Sequence, residues 1–395
     1  EKGGWVECAA PIPPYGSVSL TPGKVEANTA ATQTPWFNWR RDGECIMIET
    51  FYYEAKVCPD GSFLSFRDRA GGRELVSKDG RLNAIRAFED YPGMYDAWDI
   101  LDNWQRNPVE VEIEQPLHLV CEGPLLAEME VSYRIGASRG IQRLRFFRDS
   151  PVVECDHQVE WQERNRLVKA MFDIDTRTRL VACDSGAGTI MRETHRNTSW
   201  QKARFEVCHH RWLAIGDRDC GLALFNDSKY GVSLEENHVG LSLLRGPVRP
   251  DPDADRGEHH FVYGFSCFSG NAEDAGIPQL GWAFNIAPRL LPGFAGDQLH
   301  QLFSVHGGDS LHLLACKPAE DDPAEVVLRW VEIGGRRSKA VLTWHRPVKH
   351  LEEVDILERP LDPALPRAVC RHDTTQTVLE YSPWQIFSVK VRWRD

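Results

Sequence analysis

The chain has 395 residues, 42% hydrophobic and 26% charged, the proportions of an ordinary globular protein long enough for a large core and two or three domains. Its 46 Lys and Arg against 58 Asp and Glu give a formal charge of -12, which argues against nucleic acid or an anionic membrane surface as a partner. No apolar segment approaches the ~20 residues of a membrane-crossing helix, and the first sixteen residues lack the pattern of a signal peptide. With no initiator Met, a processed or cut chain is expected. Eleven cysteines, an odd number without a CxxC pair, read as reduced and mostly buried thiols of a cytoplasmic protein, and a zinc site built on them is not expected.

From the N-terminus, residues 1–25 read as a linker with one strand around Val18. Short alternating or apolar runs follow, separated by Gly, Pro, Asp and Asn: 45–52, 54–57, 63–66, 109–113, 126–135, 142–147, 152–159 and 169–174. They continue at 203–207, 212–215, 221–225, 326–332, 339–343, 377–381 and 386–393. Helical periodicity is nearly absent, so the fold class expected is all-β, as sandwiches or barrels. Pro59-Asp60-Gly61 supplies the turn of a hairpin over 57–68. Pro and Gly cluster at 290–297, where a boundary is expected before a small C-terminal sandwich.

Residues 241–263, LSLLRGPVRPDPDADRGEHHFVY, carry the densest chemistry. Alternation puts Leu241, Leu243 and Arg245 on one face of a strand, Gly246, Pro247, Pro250 and Pro252 end it, and a second strand completes a hairpin. Its loop holds Asp251, Asp253, Asp255, Arg256 and Glu258. From the residues alone, a solvated acidic loop is favoured over a site. His209-His210 and His259-His260 invite a metal, but neighbours on a strand point to opposite faces, so neither pair chelates one ion. Asn226, Asp227, Lys229 and Tyr230 form a turn that either lines a site or braces the loop beside it.

Four segments in order carry a resemblance. They are GGRELVSKDGRLNAIRAFEDYP with YDAWDI (71–100), ARFEVCHHRWLAIGDRDCGLALFNDSKYG (203–231), the 241–263 stretch, and a tail of VVLRWVEIGGRRSKAVLTW, VDILERPL and SPWQIFSVKVRW. Together they resemble the C-terminal, non-barrel half of glycoside hydrolase family 38, the α-mannosidases, in its cytosolic/vacuolar and bacterial branch. The resemblance implies a galactose-mutarotase-like β-supersandwich over 26–290 and a small β-sandwich over 297–395. It implies that the full-length enzyme is a zinc-dependent retaining exo-mannosidase. Zinc, nucleophile and acid/base would then sit in an N-terminal barrel and helical bundle, so this chain would hold no catalytic or metal-binding residue and be inactive alone.

Its expected partners are that barrel and bundle and the mannoside, with a homo-oligomer through the apolar face the barrel would cover. By resemblance Arg245 reaches the sugar pocket, where a guanidinium fork grips a hydroxyl or braces a carboxylate; paired with Asp251 or Asp255 it would instead be a surface residue. Trp98 offers an aromatic face to a sugar, with Asp96 and Asp99 as hydroxyl acceptors, against the alternative of a core tryptophan. Asp251, Asp253, Asp255 and Arg256 are expected to line the pocket by positioning, while Glu89 and Asp90 read as structural. Two other functions stay open: a stand-alone carbohydrate-binding module, and aldose epimerisation by Glu258 with His259 or His260, for which the residues match no epimerase motif.

Overall fold

A computed structural model describes residues 12, 16–17, 35–289 and 300–394, and over these the chain is almost wholly β. Of the strand expected around Val18, Gly16–Ser17 is described and pairs with His300–Gln301; Val18 itself lies outside the described residues, as does the boundary expected at 290–297. The chain divides into two units, one built mainly from Ala30–Asp184 and Ile190–Ala287, the other mainly from Ser185–Thr189 and Pro288–Asp395.

In the first unit, strict alternation makes the strands. Along Leu126–Ile135 the residues Ala127, Met129, Val131, Tyr133 and Ile135 are buried and those between them are not. Among the described residues an antiparallel nine-stranded sheet runs Thr189–Glu193, Leu180–Asp184, Trp212–Gly216, Cys220–Asn226, Gly257–Ser269, Ser150–Trp161, Ser138–Phe147, Leu126–Ile135, Glu112–Glu122. A six-stranded sheet runs Val207–Cys208, Gly231–Glu235, His238–Arg245, Arg166–Asp173, Ala84–Glu89, Pro108–Val109, and a four-stranded meander spans Asn38–Asp42 to Phe63–Asp68. Their inner faces share one core, in which Phe63, Phe66, Phe172 and Phe265 meet edge to face at 5.1–5.9 Å. The turn expected at Pro59-Asp60-Gly61 is present, with Gly61 at φ +79° and its N–H bonded to the Cys58 carbonyl at 3.0 Å.

Four expectations need correction. The run at 203–207 is mostly not a strand: Thr198 and Gln201 form a capping box that starts a short helix, Ser199–Lys202, and pairing resumes only at Val207–Cys208. Helical periodicity is not wholly absent, because Ile277–Asn285 packs Ile277 and Phe284 against the nine-stranded sheet; Pro278 in its first turn and Gly281 against Trp212 disguise it. The run read as ending at Ile113 belongs to a strand that continues past Pro116 to Glu122, since an edge strand tolerates proline and irregular register. Residues 241–263 are not a hairpin: His238–Arg245 lies in the six-stranded sheet and Gly257–Ser269 in the nine-stranded one. The eleven-residue connection carries the chain from one layer to the other.

Among the described residues, the second unit holds two antiparallel four-stranded sheets. Phe303, Trp330 and Trp344 lie at the centre of its core with ring centroids 5.6–5.7 Å apart, a small sandwich sealed by large aromatics.

Candidate functional site

Arg245 ends its strand beside a bulge. Val168 pairs with Leu244 and Lys169 with Ser242, leaving Leu243 unmatched, so Leu243 and Leu244 are both buried. The alternation expected for Leu241, Leu243 and Arg245 therefore fails: Arg245 pairs with Leu167 and shares the outer face of the sheet with Ser242 and Lys169. There its fork is already engaged. Nε and Nη2 donate to Asp90 Oδ2 at 3.0 and 2.5 Å, and Nη2 also donates to the carbonyls of Asp96 and Asp99, each at 2.6 Å. No bond from Nη1 reaches a described residue.

These bonds hold the loop at 91–99. Asp90 Oδ1 accepts from Leu101 N–H at 2.9 Å, and Asp96 Oδ2 accepts from Val248 N–H at 2.7 Å, which ties the loop to the segment after Arg245. Asp96 is thus a buried staple, its Oδ1 without a partner among the described residues, rather than an open acceptor. Held this way, the loop turns its apolar side chains outward. Trp98 is 87% exposed, Met94 70%, Tyr95 67% and Tyr91 55%, so Trp98 is no core tryptophan; Trp104, packed on Phe88 at 4.5 Å, is. Asp99 is exposed.

Beneath the loop lies Lys169, wholly buried. Its ammonium donates to Glu206 at 2.5 and 3.0 Å, to Ser242 Oγ at 2.8 Å and to the Gly240 carbonyl at 3.2 Å, and lies 4.9 Å from the Trp104 ring. Burial lowers its pKa against the opposing pull of Glu206. Lys169, Glu206 and the Asp90 clamp escaped sequence reading. A lysine at a core position between apolar neighbours was the one available signal.

The acidic loop is braced elsewhere. Asp253 takes Arg164 at 2.6 Å and Arg256 at 2.9 Å, which hold its carboxyl below the usual range, and Arg256 also donates to Gln162 at 3.0 Å. Asp251 Oδ1 accepts from Asp253 N–H at 3.0 Å, and the Asp255 carbonyl lies 2.6 Å from His259 Nε2. Neither Asp251 nor Asp255 pairs with Arg245. His260 meets Asp156 at 3.2 Å, and buried His209 meets Asn226 at 2.9 Å while exposed His210 stacks on Tyr230. Each histidine of a pair thus has its own surroundings. Lys229 sits 4.4 Å over the ring of Phe261 in the Gly257–Ser269 strand. Among the described residues no three His, Cys, Asp or Glu gather as metal ligands. Of the ten described cysteines, five are buried and four exposed, fewer buried than expected.

Residues 48–253 match the glycosyl hydrolases family 38 C-terminal domain, and residues 310–389 match that family's C-terminal beta sandwich domain. The chain is 32% identical over 387 residues to human alpha-mannosidase 2C1, covering 96% of this chain and 36% of that protein. It is 28% identical over 348 residues to alpha-mannosidase G of Dictyostelium discoideum, covering 82% and 32%. It thus spans about a third of the length of the curated relatives it matches. An alpha-mannosidase structure from Enterococcus faecalis superimposes with TM-score 0.69 at 14% identity, over 87% of this chain and 42% of that one, a likeness of fold. With both C-terminal models of one family matched in order over this all-β architecture, the chain belongs to glycosyl hydrolase family 38, in its C-terminal region.

Proposed function

We propose that this chain is the β-rich C-terminal portion of a zinc-dependent, retaining α-mannosidase that removes terminal α-linked mannose, and that it walls the sugar pocket with the loop at 91–99. The observation that carries this reading is the Arg245 clamp. One guanidinium fixes Asp90, Asp96 and Asp99, presents Trp98 outward and keeps Nη1 for a ligand. Trp98 would stack on the apolar face of the sugar, Asp99 would accept a hydroxyl proton, and Arg245 Nη1 would donate to a sugar oxygen or a carboxylate of the barrel. Asp96 supports the wall from behind, and Asp251, Asp253, Asp255 and Arg256 brace the connection that leaves Arg245.

The described residues do not fit a zinc site, so the ion and the catalytic carboxyl pair are assigned to a barrel and helical bundle encoded with this chain in a longer protein. We assign that protein to the cytoplasm, a reading supported by free buried thiols at Cys155, Cys183, Cys220 and Cys267.

The test compares hydrolysis of an aryl α-D-mannoside by this chain and by the protein made when the reading frame is extended upstream of Glu1, with and without Zn2+. The chain alone is expected to be inactive and the extended protein zinc-dependent, with Trp98→Ala lowering kcat/KM by about 100-fold. Zinc-dependent turnover by this chain alone overturns the proposal. An upstream frame without a barrel, together with calorimetric binding of mannose by this chain, establishes the stand-alone carbohydrate-binding module instead.

A further inference from the structure

In the four-stranded meander of the first unit, Cys45–Glu49 and Tyr53–Val57 form a hairpin. Its ladder begins at the turn, where Thr50 N–H donates to the Tyr53 carbonyl at 2.9 Å. Hydrogen-bonded and non-bonded pairs alternate along an antiparallel ladder. The bonded pairs are therefore Thr50 with Tyr53, Ile48 with Ala55 and Ile46 with Val57, and one step further Cys45 faces Cys58 as a non-bonded pair. The backbone agrees, because Cys58 N–H turns to the other neighbouring strand and donates to the Ser62 carbonyl at 2.7 Å. Facing residues of a non-bonded pair hold their Cα atoms about 4.5 Å apart, within the range of about 4.4–6.8 Å that a disulfide spans. The two sulfurs lie 3.7 Å apart.

The two thiols differ in access. Cys58 is buried, whereas Cys45 is partly exposed and is the member that a small oxidant meets first. Burial, and then the hydrogen bond to Cys45, raises the pKa of Cys58 and keeps that thiol protonated at rest. The Arg81 guanidinium pulls the other way. Alternation puts Lys56 on the same face of the hairpin as both sulfurs, and its ammonium acts on both. These two cations favour a thiolate once a proton leaves.

We infer that Cys45 and Cys58 are a reversible oxidation site, which a peroxide closes into a cross-strand disulfide. The Cys45 thiolate attacks one oxygen of hydrogen peroxide, and the O–O bond breaks. The departing hydroxide takes up the Cys45 proton as water and leaves a sulfenic acid. Cys58 Sγ then attacks the Cys45 sulfur, the S–O bond breaks, and the second hydroxide leaves as water with the Cys58 proton. Two thiols are oxidised to one disulfide and one peroxide is reduced to two waters. Rotation of two short side chains brings the sulfurs from 3.7 Å to the bonding distance of about 2.05 Å. A dithiol reverses the step by exchange. The bond pins the open end of the hairpin beside the Pro59-Asp60-Gly61 turn, where the Gly61 carbonyl accepts from buried Asn83, and so stabilises the first unit.

The site stands independently of the mannosidase reading and is tested on this chain. The reduced chain is treated with equimolar hydrogen peroxide, its remaining thiols are alkylated, and its peptides are mapped by mass spectrometry without reduction. A Cys45–Cys58 cross-linked peptide is expected, lighter by about 2 Da than the two reduced peptides together, and dithiothreitol should restore both thiols. Cys58→Ser should stop at the Cys45 sulfenic acid, captured with dimedone, and Cys45→Ser should leave Cys58 reduced. The urea midpoint of the native sequence should rise on oxidation and return on reduction, while that of Cys45→Ser should not respond. Absence of the cross-linked peptide, or sulfinic acid at Cys45 in its place, overturns the proposal. A cross-link that lowers the midpoint overturns it too, because the bond would then form only by distorting the hairpin.

Discussion

His157 is wholly buried in the first unit, stacked between Phe261 and Tyr263 with ring centroids 5.0 and 5.3 Å away. Asn83 donates to the Gly61 carbonyl at 3.0 Å, so its Oδ1 faces Gln142 Nε2, and that amide in turn donates to His157 Nε2 at 2.9 Å. A proton on Nε2 would set donor against donor, and burial already lowers the pKa of His157 to about 3. His209, held by Asn226 in the same manner, is lowered by burial to about 4. Both folded values lie below the ordinary histidine value near 6.5. Below that pH the unfolded chain takes up protons that the folded chain refuses, so this stabilisation is complete above 6.5 and is lost as pH falls toward 4 and then 3. From pH 7 to pH 5 the loss is about 2 kcal/mol per histidine, about 4 kcal/mol for the pair. Urea unfolding at the two pH values should show it, and His157→Gln should remove about half of the difference. An unchanged difference in that variant would refute the assignment to His157.

At the scale of elements, the loop at 91–99 owes its shape to one side chain from a different strand. Arg245→Ala would leave the Asp90 carboxylate, 2% exposed, without its cation and two loop carbonyls without donors, a loss of about 3–5 kcal/mol measured by denaturant titration. Asp90→Asn in the same background should add much less than it costs alone, because both changes break one pair. Additive losses would mean that the clamp is not a unit. This coupling shows what a sequence conveys and what it withholds. Alternation along Leu126–Ile135 is local, and the strand was legible to the residue. The bulge at Leu243 is a property of two strands in register, so the face of Arg245 was not legible, nor was its pairing with Asp90, 155 positions away. The Asp251–Asp255 cluster drew attention because its charges are adjacent in sequence, yet Asp253 spends its charge on Arg164 and Arg256 at the rim. Asp90 reads as structural from the sequence and is so, but nothing local signalled Arg245 as its partner.

At the scale of the molecule, the loop's exposed side chains set up a test of what surrounds the chain in the longer protein proposed for it. Four large apolar groups within eight positions, 55–87% exposed, are held by buried polar contacts and cannot fold back onto the core without breaking the Arg245 clamp. Ordering an apolar surface toward water is unfavourable unless a partner or substrate covers it. The chain spans about a third of its relatives' length, so the rest of such an enzyme is the partner we propose. Trp98 reports on this directly. The difference in fluorescence between the native chain and Trp98→Phe isolates one indole among 13 tryptophans, and in this chain alone iodide should quench it freely. In the protein extended upstream of Glu1 the same difference signal should be shielded by about fivefold or more, as for a ring buried in an apolar contact. Saturating mannose should shield it further if the ring also faces the sugar. Equal quenching in the short and extended proteins would show that the loop meets neither barrel nor substrate, and the pocket wall would have to be sought on another surface of the first unit.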